Sequence, residues 1–290
     1  MMQKLRYGWL LLGLVCCLDC AAEVDSSFTE QYPHKLQVTA FGARNFIEMA
    51  AADKDYIPNS PIALGFGLSI KNTVIELYFG FITIDAQRNE KTETFDFQIH
   101  NYRKHLIVDL YIQQYKGFAN EDIFYPNLSV ARYGAEATYI LNGNKFSTKA
   151  AFEQTERQCK SVGSWVLSAS AYFSQIKNGQ DVFEKWDGNI NNLQLGASAG
   201  YVYSWVINPQ WLLSGMVTSG IALGNEFNKL ENDQIRIYPA SLVRFAWSYN
   251  KPSWSLAVSA LSKFDWTDQQ SFSSGYVQLS FVKRLIIPKK

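Results

Sequence analysis

The sequence predicts an all-β chain closed into an antiparallel transmembrane barrel of about twelve strands, with fourteen as the alternative count. Three observations carry that expectation: apolar residues recur at every second position, tight and long connections alternate along the chain, and the first residues read as an export signal. The run KHLIVDLYIQQY at 104–115 shows the first of these. Leu106, Val108, Leu110 and Ile112 share one face, and Asp109, Tyr111 and Gln113 share the other. A soluble sandwich would turn the apolar face to a core, and an outer-membrane barrel would turn it to lipid.

The opening residues MMQKLRYGWLLLGLVCCLDCAAEVD have a charged start at Lys4 and Arg6, an apolar run from Tyr7 to Leu18, and small residues at Cys20, Ala21 and Ala22. They are expected to form a signal peptide over 1–22, leaving one barrel domain over 23–290. The apolar run is short for a bilayer-spanning helix, which needs about 20 residues. A lipidation signal is the rival reading, but Val15 precedes Cys16 and Asp19 precedes Cys20, where a small residue is usual. Cleavage would remove Cys16, Cys17 and Cys20 and leave Cys159 unpaired, an ordinary loop thiol.

The alternation then continues strand by strand. Ile62, Leu64, Phe66, Leu68 and Ile70 oppose small residues, and Ile75, Leu77, Phe79 and Phe81 oppose Val74, Glu76, Tyr78 and Gly80. Phe95, Phe97 and Ile99 oppose Asp96, Gln98 and His100, while Tyr133, Ala135, Ala137, Tyr139 and Leu141 oppose Arg132, Gly134, Glu136 and Thr138. Val243, Phe245 and Trp247 alternate with Arg244, Ala246 and Ser248, and SWSLAVSAL and GYVQLSFVK behave likewise. Period two means strands. Glycine, serine and charged residues on the second face suit a wet lumen better than the solvent side of a sandwich. Tyr78, Tyr115, Tyr139, Trp211 and Tyr249 near strand ends are expected in interfacial girdles.

Tight connections fall at 71–72, 102–104, 142–144, 208–210 and 250–253, and long polar ones at 50–60, 85–91, 116–127, 224–235 and 265–274. Short periplasmic turns and longer external loops are the rhythm of outer-membrane barrels. About thirteen segments can be marked, although bacterial single-chain barrels have an even number. The rhythm places the fault at 145–191, where one segment does not cross or one crossing is hidden.

Within that region Lys149, Glu153 and Arg157 share a strand phase. With Asp109, Arg132, Glu136 and Arg244 they are expected to form a charge ladder in the lumen, because enclosed charges must be paired or hydrated. Such a ladder could line a constriction or fill a narrow barrel with salt-bridged side chains.

The runs YIPNSPIALGFGLS at 56–69, VDLYIQQYKGFA at 108–119, FSTKAAFEQTERQCKSVGSWVL at 146–167 and GASAGYVYSWV at 196–206 resemble the exported bacterial proteins grouped as domain of unknown function 4421. The resemblance covers nearly all of the chain after the signal and implies an outer-membrane barrel without implying an activity. Cys159 departs from the polar or basic residue expected in its run.

Lys and Arg number 27 against 26 Asp and Glu, so nothing recommends nucleic acid as a partner. No GxSxG, metal-ligand cluster, phosphate loop or other cofactor motif is present. A barrel hydrolase would need a histidine base near its outer rim, but His34 precedes the first strand and His100 and His105 flank a periplasmic turn. The expected function is non-enzymatic: a narrow pore or binding component for small solutes or envelope lipids in the outer membrane. A closed structural or partner-binding barrel is the alternative, and a lipid hydrolase ranks below both. The expected partners are the lipid bilayer, other envelope proteins and the outer-membrane assembly machinery.

Overall fold

The computed structural model describes residues 25–33, 36–51, 54–59, 62–82, 91–120, 123–178, 190–226, 235–266 and 270–285. The expected signal peptide and His34 lie outside these residues. The elements in order are β1 (Thr29–Gln31), β2 (Leu36–Ala51), β3 (Lys54–Pro58), β4 (Ile62–Ile70), β5 (Thr73–Ile82), β6 (Glu93–Tyr102), β7 (Leu106–Asn120) and β8 (Ile123–Ile140). A short helix α1 (Thr148–Phe152) and β9 (Glu156–Gln158) follow. Then come β10 (Val162–Lys177), β11 (Ile190–Val206), β12 (Trp211–Glu226), β13 (Arg236–Asn250), β14 (Trp254–Trp266) and β15 (Gln270–Leu285).

Twelve of these strands close into one antiparallel wall, in the order β2-β4-β5-β6-β7-β8-β10-β11-β12-β13-β14-β15. The ring is sealed by β15 on β2, from Gln270 opposite Ala51 to Leu285 opposite Leu36. The small strands β1 and β9 pair with each other outside the wall sheet, and β3 bridges β2 to β7 at Ala119, beyond the last pairing of β6 at Lys116. This accounts for 145–178 of the region 145–191, of which 179–189 lie outside the described residues. Residues 141–161 do not cross, and β8 pairs directly with β10.

Each strand places its residues as the alternation requires. Leu64, Phe66 and Leu68, Ile75, Leu77 and Phe79, Val243, Phe245 and Trp247, and Val277, Leu279 and Phe281 are all exposed on the outer face. Soluble monomers rarely expose contiguous apolar patches beyond a few hundred Å². Here the apolar surface runs around a wall with no free edge, which decides for the barrel over the sandwich. At the tight-turn end the aromatic rings form a chain: Trp211 lies 5.1 Å from Trp247 and 4.9 Å from Tyr249, Tyr249 lies 5.6 Å from Trp254, and Trp254 lies 6.2 Å from Phe281. Tyr139 also faces outward.

Two members expected in the girdle do not belong to it. Tyr78 and Tyr115 are buried inside the barrel, because each shares the phase of its strand's polar face and its hydroxyl bonds a lumen carboxylate. The connections differ too. Most of 116–127 and 265–274 is strand rather than loop, since the ladder continues to Asn120 opposite Ile123 and to Trp266 opposite Ser271. Polar composition there marks strands that reach beyond the apolar belt while keeping their backbone bonds.

The interior is packed in three zones. Near the tight turns, Ile140, Phe146, Ala151, Phe152, Val166, Val202 and Met216 form an apolar cluster. Near the opposite mouth, Ile47, Met49, Tyr56, Phe118, Leu128, Val130 and Ile176 form another. Charged and amide side chains lie between them. Large rings fit because glycines face them: a Cβ on Gly134 would lie 2.2 Å from the ring of Tyr172, its direct cross-strand neighbour.

Candidate functional site

The polar zone is assembled by register. Antiparallel pairing sets His100 opposite Asp109 and Asp109 opposite Glu136, so β6, β7 and β8 present one row into the lumen. Two adjacent buried carboxylates require separate cations. The far wall supplies them: Arg244 on β13 donates to Asp109 Oδ2 at 2.5 Å, and Lys263 on β14 donates to Glu136. His100 Nδ1 lies 2.6 Å from Asp109 Oδ1, and its Nε2 faces Glu76 Oε2 at 3.7 Å.

Further bonds fill the space around these pairs. Tyr172 donates to Glu136 at 3.0 Å and also accepts from Lys263, whose ammonium lies over its ring. Arg132 donates to Ser274 Oγ at 2.9 Å, with its guanidinium 4.6 Å from the centre of the Tyr172 ring. Glu76 accepts from Tyr78 at 2.7 Å. Among the described residues Asp96 pairs with no cation but accepts from Gln98, Gln113, Tyr115 and Asn45 at 3.0, 3.0, 2.9 and 3.2 Å. Four donors to one carboxylate can hold its charge without a salt bridge.

The segment after β8 plugs the tight-turn mouth. Ser147 caps α1, accepting from the Ala150 amide at 3.0 Å and donating to Glu156 at 2.7 Å. Phe146, Ala151 and Phe152 enter the apolar cluster of the wall. Polar clamps hold the segment there. Gln37 donates to the Glu153 carbonyl at 2.8 Å, and Arg284 donates to the Gln154 carbonyl, to Lys251 O at 2.6 Å and to Ser255 Oγ at 2.7 Å. Below, β1 pairs with β9, and Gln158 donates to the carbonyls of Phe28 and Lys145.

Of the seven residues expected in the ladder, Asp109, Arg132, Glu136 and Arg244 are buried in the lumen and joined to this network. The remaining three are not on a crossing strand. Lys149 lies in α1 and pairs with Glu156 at 3.2 Å, while Arg157 lies in β9 and pairs with Glu30 at 3.0 Å. Glu153 ends α1 and its carboxyl meets the Tyr102 hydroxyl. A spacing of four satisfies strand phase and helix phase alike, which is why alternation misplaced them. Glu76, Asp96, His100, Tyr172, Lys263 and Arg284 also face the interior, and each continues the inward phase of its own strand.

Glu153 keeps some accessible surface yet lies deep among protein atoms. Burial, aided by the nearby Glu76 charge, holds its carboxyl well above the usual carboxylate range. Burial also raises the Cys159 thiol, which is free and therefore a poor thiolate nucleophile. His100 and Asp109 resemble a base with its orienting carboxylate, but the group facing the other ring nitrogen is another carboxylate rather than a hydroxyl. Among the described residues no group of three or more His, Cys, Asp or Glu is placed to hold a metal ion.

A family profile described as "Domain of unknown function (DUF4421)" matches residues 23–282. The chain belongs to that family. For this DUF4421 chain no curated protein matches by sequence. Among solved structures it is similar to OmpT, an outer membrane protein of Vibrio cholerae, at 7% identity and a TM-score of 0.32, covering 86% of this chain and 98% of that one. It is also similar to the P. putida toluene transporter TodX at 7% identity and a TM-score of 0.31, covering 88% and 91%. A third, Neisserial surface protein A, has 12% identity and a TM-score of 0.24, covering 86% and 97%. Scores this low carry no argument about activity, which has to come from the chain's own geometry.

Proposed function

We propose that the protein is a non-enzymatic, closed barrel of the outer membrane, exported with a cleaved signal peptide, that acts as a structural or partner-binding component of the envelope. One observation carries this reading. The segment 145–160 sits in the tight-turn mouth with Phe146 and Phe152 buried against the wall, and charged pairs and a second apolar cluster fill the lumen beyond it. An open pore needs a continuous aqueous path, and side chains packed in this way stand against one. The partners of this reading are the lipid bilayer, which meets the apolar belt, the outer-membrane assembly machinery, and other envelope proteins, which meet the plug face and the external loops. Nucleic acid has no place in it.

The test is conductance in a planar bilayer. Wild-type protein should insert without steady conductance, and so should a variant with 146–158 replaced by a glycine-serine linker, because the packed lumen beyond the plug stays filled. Steady wild-type conductance that changes ion preference in Arg244→Gln would overturn the closed reading in favour of the narrow pore.

A further inference from the structure

A groove of about 480 Å³ runs along the outside of the wall over β8, near the mouth opposite the tight turns. Register across β6, β7, β8 and β10 orders the residues around it into three rows. The lowest is Phe97, Ile112, Tyr133 and Phe173, all apolar or aromatic, of which Tyr133 lines the groove and the other three continue the wall below it. The middle row is Phe95, Gln114, Ala131 and Gln175. The upper row is Glu93, Lys116, Ser129 and Lys177. Ala131 and Ser129 make the floor because they are short. The longer side chains on β7 and β10 stand on either side as walls.

These walls are built rather than incidental. Gln114 donates to the Tyr133 hydroxyl at 2.8 Å and Gln175 donates to Asn191 at 2.7 Å, so both amides are fixed. The upper end is shaped by a bulge between Lys116 and Phe118, where Gly117 adopts φ 91° and its carbonyl accepts from Thr92 at 2.6 Å. A side chain at Gly117 would meet the Phe124 ring at 2.6 Å. Lys177 makes no ion pair among the described residues, and Lys116 has only a loose contact of 3.9 Å with Glu93.

From bottom to top the groove passes from rings, through amides, to ammonium groups. That is the order of chemistry along a membrane lipid with an anionic head: acyl chain, ester region, phosphate. We propose that the groove holds one outer-leaflet lipid bearing a phosphorylated head group, with its phosphate between Lys116 and Lys177 and its acyl chain on Phe97, Ile112 and Phe173. A soluble phosphate would use only the upper row and leave the apolar row to bulk lipid. The inference goes beyond the closed-barrel reading and rests only on the wall standing in a membrane.

The test uses the full mature chain reconstituted in vesicles of phosphatidylcholine containing a minor fraction of phosphatidylglycerol. The protein is extracted in mild detergent, and retained lipid is read by native mass spectrometry. Wild type should retain phosphatidylglycerol over phosphatidylcholine, the K116Q/K177Q double variant should retain roughly tenfold less, and excess inorganic phosphate should not displace it. Equal retention by the double variant would overturn the site, and displacement by inorganic phosphate would overturn the lipid as occupant. Heat-modifiable migration of both proteins on a denaturing gel reports insertion separately, so a failure of the barrel itself reads out differently from a failure of the groove.

Discussion

Asp109 and Arg244, 135 residues apart in the chain, meet across the lumen at 2.5 Å with both side chains almost wholly buried. The contact ties β7 directly to β13 on the far wall, two strands that are not neighbours in the ring. His100 holds the second oxygen of the same carboxylate.

Removing one partner of a buried pair leaves the other charge stranded, at a cost of about 3–5 kcal/mol. Asp109→Asn should therefore destabilise strongly, although lumen positions in water-filled barrels commonly accept such a change. The double variant Asp109→Leu with Arg244→Met should recover most of the loss, because it removes both charges. Urea titration of the folded, heat-modifiable form measures each. Lys149→Gln, at a partly exposed pair with Glu156, should cost at most about 1 kcal/mol.

Glu153 sets a pH dependence. Its folded-state carboxyl titrates above the unfolded value, so within that window the folded state binds more protons than the unfolded one. Its contribution is therefore fully present at acidic pH and is lost as pH rises from the ordinary carboxylate range through the raised folded value. The unfolding midpoint should fall over that interval in wild type. Glu153→Gln should flatten this part of the profile, and an unchanged slope would remove Glu153 as its source.

The phase of the wall strands was legible from alternation alone, because a period of two leaves no choice about which residues share a face. Asp109, Arg132, Glu136 and Arg244 could be assigned to the lumen on that basis. Their partners could not, since contact across a barrel depends on how the ring closes and on its stagger. Lys263 continues the inward phase of Ala257 and Leu261 but lies past the most regular part of its run, so alternation alone does not single it out. The plug was illegible for a different reason. Lys149, Glu153 and Arg157 keep a spacing that strand and helix both accept, and only the capping contacts of Ser147 show which one the chain adopts.

Leu110 points outward beside the inward Asp109, part-way up β7. Leu110→Arg should cost about 2–4 kcal/mol if that position lies near the bilayer midplane. Ile112→Arg, one step nearer the outer interface, should cost less. Folding yields into vesicles at increasing urea give both values, and equal tolerance of the two substitutions would show that the belt is not where the apolar face places it.

Arg284 should be the clamp on which the plug depends most. Gln154 stands at φ 55°, in the left-handed region that residues with a side chain seldom adopt, so its backbone persists only where the surroundings hold it. The guanidinium of Arg284 does so by donating to the Gln154 carbonyl, while its other hydrogen bonds, to Lys251 O and Ser255 Oγ, reach the wall and the guanidinium lies 3.9 Å from the centre of the Tyr32 ring. Hydrogen bonds to a charged group contribute about 1.5–3 kcal/mol, so Arg284→Met should release the plug far more than it weakens the ladder of wall bonds. Hydrogen exchange at 147–158 should then quicken while amides of β11 and β12 stay protected. The apolar contacts of Phe146 and Phe152 would still hold the segment in the mouth, so the expected state is a loosened plug in a barrel that stays closed. Replacing Gln154 with glycine in the same background removes the strained conformation and should restore part of the protection. If exchange at 147–158 is unchanged in Arg284→Met, the apolar cluster alone retains the plug.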